Sequence, residues 1–173
     1  MELNRVFNTR KSIRQFNGKP VSPQVRAQLI HAANASPVGM GRYDSVHLTV
    51  VTNPAMLDAI EENTAALFGG ERRRFLYNAP ELIIVSSTTA NNVGYSNAAI
   101  IAHDMALAAV DAGVGACHIW GCVAALANNA ELTRKLGIPE GFTPACGLAV
   151  GEMDTPYAER DIPDDRISIN IVG

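Results

Sequence analysis

The densest chemistry in this sequence lies in Arg10-Lys11-Ser12-Ile13-Arg14-Gln15-Phe16. Arg10, Lys11, Arg14 and the Ser12 hydroxyl fall close together, and Ile13 and Phe16 can anchor the run to a core. The spacing supports two readings. One is a basic loop facing water, the fate of most charge runs. The other is a pocket for a phosphate monoester, in which arginine offers a planar fork, lysine a point charge and serine a short donor. Spacing alone leaves both open.

Little else competes. Cys117 and His118 are adjacent, and adjacent side chains rarely point at one ion, so no metal is expected. Cys117, Cys122 and Cys146 form no CxxC pair and cannot all be bridged, which suits a reducing cytoplasm. Cys122 and Cys146 read as small buried hydrophobes. His103 and Asp104 read as a polar contact at an interface rather than as catalytic groups. No Ser/His/Asp triad stands out. Glu71-Arg72-Arg73-Arg74 reads as a solvated basic run. Tyr43 and Phe68 could shape a substrate opening, with core packing as the competing role.

Several elements must position these residues. A short helix is expected over residues 2–8, from Leu3, Val6 and Phe7. Ser22 and Pro23 read as N-cap and first residue of a second helix, ending near Asn34. The loop Ser36-Pro37-Val38-Gly39-Met40-Gly41-Arg42-Tyr43 is either a plain connection or a surface laid against a flat ligand. A strand follows over Val46–Val51, then a helix capped by Asn53 with Met56, Leu57, Ile60 and Leu67 inward, stopped at Gly69-Gly70. Leu82–Ser87 reads as a strand buried on both faces. Thr88–Tyr95 reads as a polar loop. It leads into a long alanine-rich helix from Asn97, apolar nearly all round and so expected in the core. That helix breaks at Gly113 and Gly115 in a turn whose backbone approaches something, and Val123–Leu126 resume as helix. Asn129 caps Ala130–Leu136, Ala145–Val150 reads as a closely packed strand, and Arg166–Val172 alternates with period two as a strand in need of a sheet edge.

The 173 residues suit one domain, with 47% hydrophobic and 18% charged residues as in ordinary globular proteins. A formal net charge of -3 gives no reason to expect nucleic acid or an anionic membrane as partner. The polar N-terminus does not read as a signal peptide, and the best apolar run is interrupted by His103, Asp104 and Asp111, so no membrane span is expected.

In four places the chain resembles the nitroreductase-like family of FMN oxidoreductases. Arg10–Phe16 resembles its R-[RK]-S-[IV]-R-x-[FY] motif, and Ser36-Pro37-Val38-Gly39 its small-residue loop. Asn78-Ala79-Pro80-Glu81-Leu82-Ile83-Ile84-Val85 resembles the opening of its A-P-x-x strand. Gly113–Gly121, then Leu136-Gly137-Ile138-Pro139-Glu140-Gly141 and Gly151-Glu152, follow its later landmarks. The resemblance implies an α+β fold, a mixed, mainly antiparallel sheet sandwiched by helices, in an intertwined homodimer. Residues 1–173 would form one FMN-binding domain whose C-terminal strand, about 165–172, is exchanged with the partner subunit. It implies FMN held at the interface. Arg10 would take the phosphate, with Lys11 and Ser12 on phosphate or ribityl oxygens and Arg14 toward the pyrimidine edge. Pro37, Val38, Gly39 and Met40 would flank the cofactor from the partner. Cys117, His118, Ile119, Trp120 and Gly121 would run past the ring. Arg160 would be the late phosphate ligand, with Arg166 competing. The implied activity is NAD(P)H oxidation with ping-pong hydride transfer to a nitroaromatic, quinone or flavin acceptor. The chemistry would be carried by FMN, with no catalytic side chain. The alternatives are a flavin carrier or sensor without significant turnover, and a dimeric α+β protein binding another phosphate ligand through Arg10–Arg14.

Overall fold

Leu82-Ile83-Ile84-Val85 is apolar at every position, a pattern suited to a strand covered on both faces. In the computed structural model, which describes residues 2–70 and 74–173, this run lies in β2 (Glu81–Ser87), buried throughout. With β1 (Val46–Val51), β3 (Gly115–Ile119) and β4 (Thr143–Gly151) it forms a sheet of order β1-β2-β4-β3. Every pairing is antiparallel. Alternate side chains of a strand face opposite ways, so β2 feeds two cores. Ile83 and Val85 pack with α2 (Pro23–Ala35) and α4 (Asn92–Asp111). Leu82 and Ile84 pack with α3 (Pro54–Leu67), α5 (Gly121–Ala127) and α6 (Ala130–Lys135). The expected α+β sandwich is the fold, and α1 (Leu3–Thr9) leans on α4.

The expected caps hold. Ser22, Asn53 and Asn129 each accept a backbone N–H of the first turn, and proline opens α2 and α3. Four expectations are corrected. α4 begins at Asn92, within the stretch read as loop, because Asn91 caps it by accepting from Val93 and Gly94 at 3.0 and 3.2 Å. α4 is also not covered all round, since Ile100 and His103 are exposed. Gly115–Ile119 is strand β3 rather than a turn. Gly113, at φ +75°, reverses the chain out of α4, and β3 takes small residues because another segment lies across it. A Cβ on Gly115 would stand 2.9 Å from the Phe16 ring and 3.0 Å from the Ile13 side chain. Leu67 ends α3 on the exposed side.

Arg166–Val172 forms no strand within the chain. Ile167, Ile169 and Ile171 are 77, 77 and 90% exposed. The alternation defines one apolar face, and none of the described residues covers it.

Candidate functional site

After α1 the chain runs extended beside β3, with the Ile13 N–H donating to the Ala116 carbonyl at 2.9 Å. Ile13 and Phe16 are buried as anchors. The pinning leaves Arg10, Lys11 and Ser12 half-buried and Arg14 exposed. Neither Arg10 nor Arg14 makes an ion pair with a carboxylate among the described residues. Lys11, Ser12, Arg14, Gln15, Met153 and Thr155 line an open cleft of about 380 Å³.

A second cleft, of about 320 Å³, lies between Arg74, Phe75 and Tyr77 on one side and His118–Cys122 on the other. Arg14 links the two clefts, because its guanidinium stands 5.9 Å from the centre of the Tyr77 ring. Another cavity, of about 400 Å³, lies elsewhere, lined by Pro54, Leu57, Asp58 and Glu61 among others. Its carboxylates disfavour an anionic ligand, so chemistry rather than size selects the basic clefts.

The segment after β4 braces the basic run. Arg160 donates through its backbone N–H and its Nε to the Asn8 carbonyl, at 3.1 and 3.2 Å, and through Nη2 to the Arg10 carbonyl. The Tyr157 hydroxyl donates to the Val114 carbonyl at 3.1 Å, and burial pushes its pKa up to about 12. Of the two competing late arginines, Arg160 lies at Arg10, while Arg166 sits on the exposed tail.

His118 projects from β3 toward α4, where it stacks on His103 at 5.9 Å. Partial burial lowers its pKa, and the charges of His103 and Arg10 act in the same direction. Its ring still keeps an open side to solvent. The cysteines are inert by comparison. Burial raises the pKa of Cys117, although Arg14 and the Ser12 hydroxyl oppose the rise. Burial takes Cys122 to about 11 and raises Cys146 as well. None is a thiolate nucleophile at neutral pH.

Thus Arg10, Lys11, Ser12, Arg14, Cys117–Gly121 and Arg160 come together within one chain. Pro37, Val38, Gly39 and Met40 do not join them. Gly39 N–H donates to Asn97 Oδ1 at 3.1 Å, which fixes that loop on α4. Met40 stands there at φ 58° with 97% of its surface exposed. The structure adds Arg74, Phe75 and Tyr77 to the candidate residues. The basic run had hidden Arg74, and Arg72 and Arg73 lie outside the described residues.

Fold and site define a class: an α+β protein whose Arg10 and Arg14 have no carboxylate ion pair among the described residues and whose Arg14 stands at an aromatic cleft, suited to a phosphorylated planar ligand. The chain belongs to the nitroreductase family, whose sequence model matches residues 8–152, and so stands among oxidoreductases. An NADPH-flavin oxidoreductase of Vibrio harveyi is 26% identical over 171 residues, covering 88% of this chain and 67% of the relative. The crystal structure of a nitroreductase with bound FMN from Desulfitobacterium hafniense DCB-2 superposes with a TM-score of 0.82. It is 26% identical and covers 97% of both chains. A nitroreductase with bound FMN from Bacteroides fragilis NCTC 9343, at 22% identity, supports the fold, with a TM-score of 0.84 over 99% of this chain and 100% of the other. No helix among the described residues is long and apolar enough to cross a membrane.

Proposed function

We propose that this chain is an FMN-dependent NAD(P)H oxidoreductase that passes electrons to a nitroaromatic, quinone or flavin acceptor. The observation that carries the reading is Arg14, held at the aromatic cleft without a carboxylate ion pair among the described residues, with Arg10 near enough for its charge to act on His118 in the cleft wall. Ligand phosphate and ring edge would supply the missing negative charge. The relatives' bound FMN and flavin chemistry support the same assignment.

The residues present fit FMN. Arg10 binds the phosphate, with Lys11 and Ser12 on phosphate or ribityl oxygens, and Arg160 fixes the backbone that presents Arg10. Arg14 places positive charge at the pyrimidine edge, where reduction leaves negative charge. Cys117, His118, Ile119, Trp120 and Gly121 would run along the ring, and Tyr77 and Phe75, across the cleft from His118–Gly121, would close the far wall. When bound, FMN would supply two-electron redox chemistry between reduced nicotinamide and the acceptor. The buried, protonated cysteines take no part. One cleft serving donor and acceptor in turn predicts ping-pong kinetics.

The working unit is a homodimer. Pro37, Val38, Gly39 and Met40 flank the cofactor of a second copy, which accounts for a fully exposed methionine on a left-handed backbone. The 165–172 segment crosses onto that copy and covers its apolar face. Truncation after Pro163 should therefore yield monomers or aggregates in sedimentation velocity, and a well-behaved dimer would count against the exchange.

Steady-state rates with FMN-loaded protein, varying NAD(P)H and a quinone, test the activity. Parallel double-reciprocal lines support the reading. Tight FMN binding with no turnover would make the protein a flavin carrier or sensor instead.

A further inference from the structure

We infer that Tyr77 is a positioning residue for Arg14: its ring, presented by a turn of left-handed residues, holds the guanidinium at the cleft and so sets the reduction potential of the bound flavin. The inference rests on the flavin reading above.

Tyr77 and Asn78 sit at φ 57° and 62°, two consecutive non-glycine residues in the left-handed region. Asparagine visits that region readily, whereas a bulky aromatic residue there is an outlier. Such a conformation persists only where the surroundings impose it, and here they do. Tyr77 N–H donates to the Arg74 carbonyl at 3.1 Å and Ala79 N–H to the Leu76 carbonyl at 2.9 Å. Arg74 Nη1 donates to Asn78 Oδ1 at 2.7 Å, and Leu76 N–H to Glu61 Oε1 at 3.0 Å. Leu76 is buried beneath the turn. The turn is thereby locked, and its outcome is a tyrosine ring on the wall of the cleft.

Arg14 has the opposite character. It is exposed and has no ion pair among the described residues, so nothing on its own segment confines its long side chain. A free arginine loses substantial rotamer entropy when a ligand fixes it. The Tyr77 ring, 5.9 Å from the guanidinium carbon, restricts those rotamers in advance and shields one face of the cation from water. A preplaced cation favours the reduced, more negative flavin over the oxidised one. The hydroxyl is not needed for this and the aromatic face is.

The test is a cycle of Tyr77→Leu, Tyr77→Phe and Arg14→Gln in the FMN-loaded protein. It reads the flavin midpoint potential and the FMN dissociation constant. Tyr77→Leu should weaken binding of reduced relative to oxidised flavin about tenfold, a shift of about -30 mV for a two-electron couple. Tyr77→Phe should keep the wild-type potential. In the Arg14→Gln background Tyr77→Leu should shift nothing further. An equal shift with and without Arg14, or no shift at all, overturns the inference while leaving the flavin reading intact. Failure to bind FMN at all overturns both. Tyr77→Gly removes the ring and relieves the left-handed backbone together. It replaces the leucine variant if that one does not fold, with the same shift expected.

Discussion

Arg26 and Arg10 are both arginines close to the sheet, and they are used in opposite ways. Arg26 donates through Nε and Nη2 to Glu81, each at 2.8 Å, and the fully buried Glu81 also accepts from Val21 N–H at 3.1 Å. The bonded carboxylate holds the Arg26 pKa above its ordinary value. That cation is satisfied within the chain and serves the fold. Neither Arg10 nor Arg14 has a carboxylate ion pair among the described residues, and Arg14 stands over the Tyr77 ring, which leaves their charge open to the proposed ligand. Guanidiniums of one chemical type become structural or functional according to whether the chain supplies the carboxylate.

The largest effect should come from breaking the satisfied pair. Glu81→Gln leaves the partly exposed Arg26 guanidinium without its carboxylate and should cost about 3 kcal/mol of stability in urea denaturation. The folded fraction should keep its FMN affinity. A loss of affinity without a loss of stability would erase the contrast.

Next is the unsatisfied cation. Arg10→Ala should weaken FMN binding by about 1.5–3 kcal/mol, the scale of a charge-assisted hydrogen bond. Apoprotein stability should stay within about 0.5 kcal/mol of wild type, because the carbonyl that Arg160 grips is backbone and survives the substitution. Unchanged FMN affinity in a titration would remove Arg10 from the site.

The smallest effect concerns pH. The lowered His118 pKa means that the folded chain binds fewer protons than the unfolded one between that lowered value and the ordinary value of about 6.5. The stability of the neutral ring is complete above about 6.5 and is lost as pH falls through that window. Solvent on its open side keeps the loss small. His118→Asn should flatten the urea midpoint between pH 7.5 and 5, and equal slopes would refute the assignment. Arg26 stays charged throughout and adds no slope.

Much of this was legible in the sequence. The unbroken apolar run of β2 announced a strand covered on both faces, and Ser22, Asn53 and Asn129 announced their helices, because these are local signals. The division of the basic segment into buried anchors, Ile13 and Phe16, and outward cations was visible because the two kinds of residue alternate within one short stretch. β3 was hidden, since Gly115 is small for reasons that lie far away in sequence, at Ile13 and Phe16. Tyr77 was hidden too. Its role depends on a left-handed turn and on Arg14, far off in sequence. The tail's alternation was visible, but a pattern names a face and not the surface that covers it.

Flavin binding and its reduction are read together in the visible absorption spectrum of the purified protein, followed by NADH or NADPH without oxygen. A yellow protein that bleaches on adding the nucleotide is the expected result. A colourless protein that also refuses added FMN would contradict it.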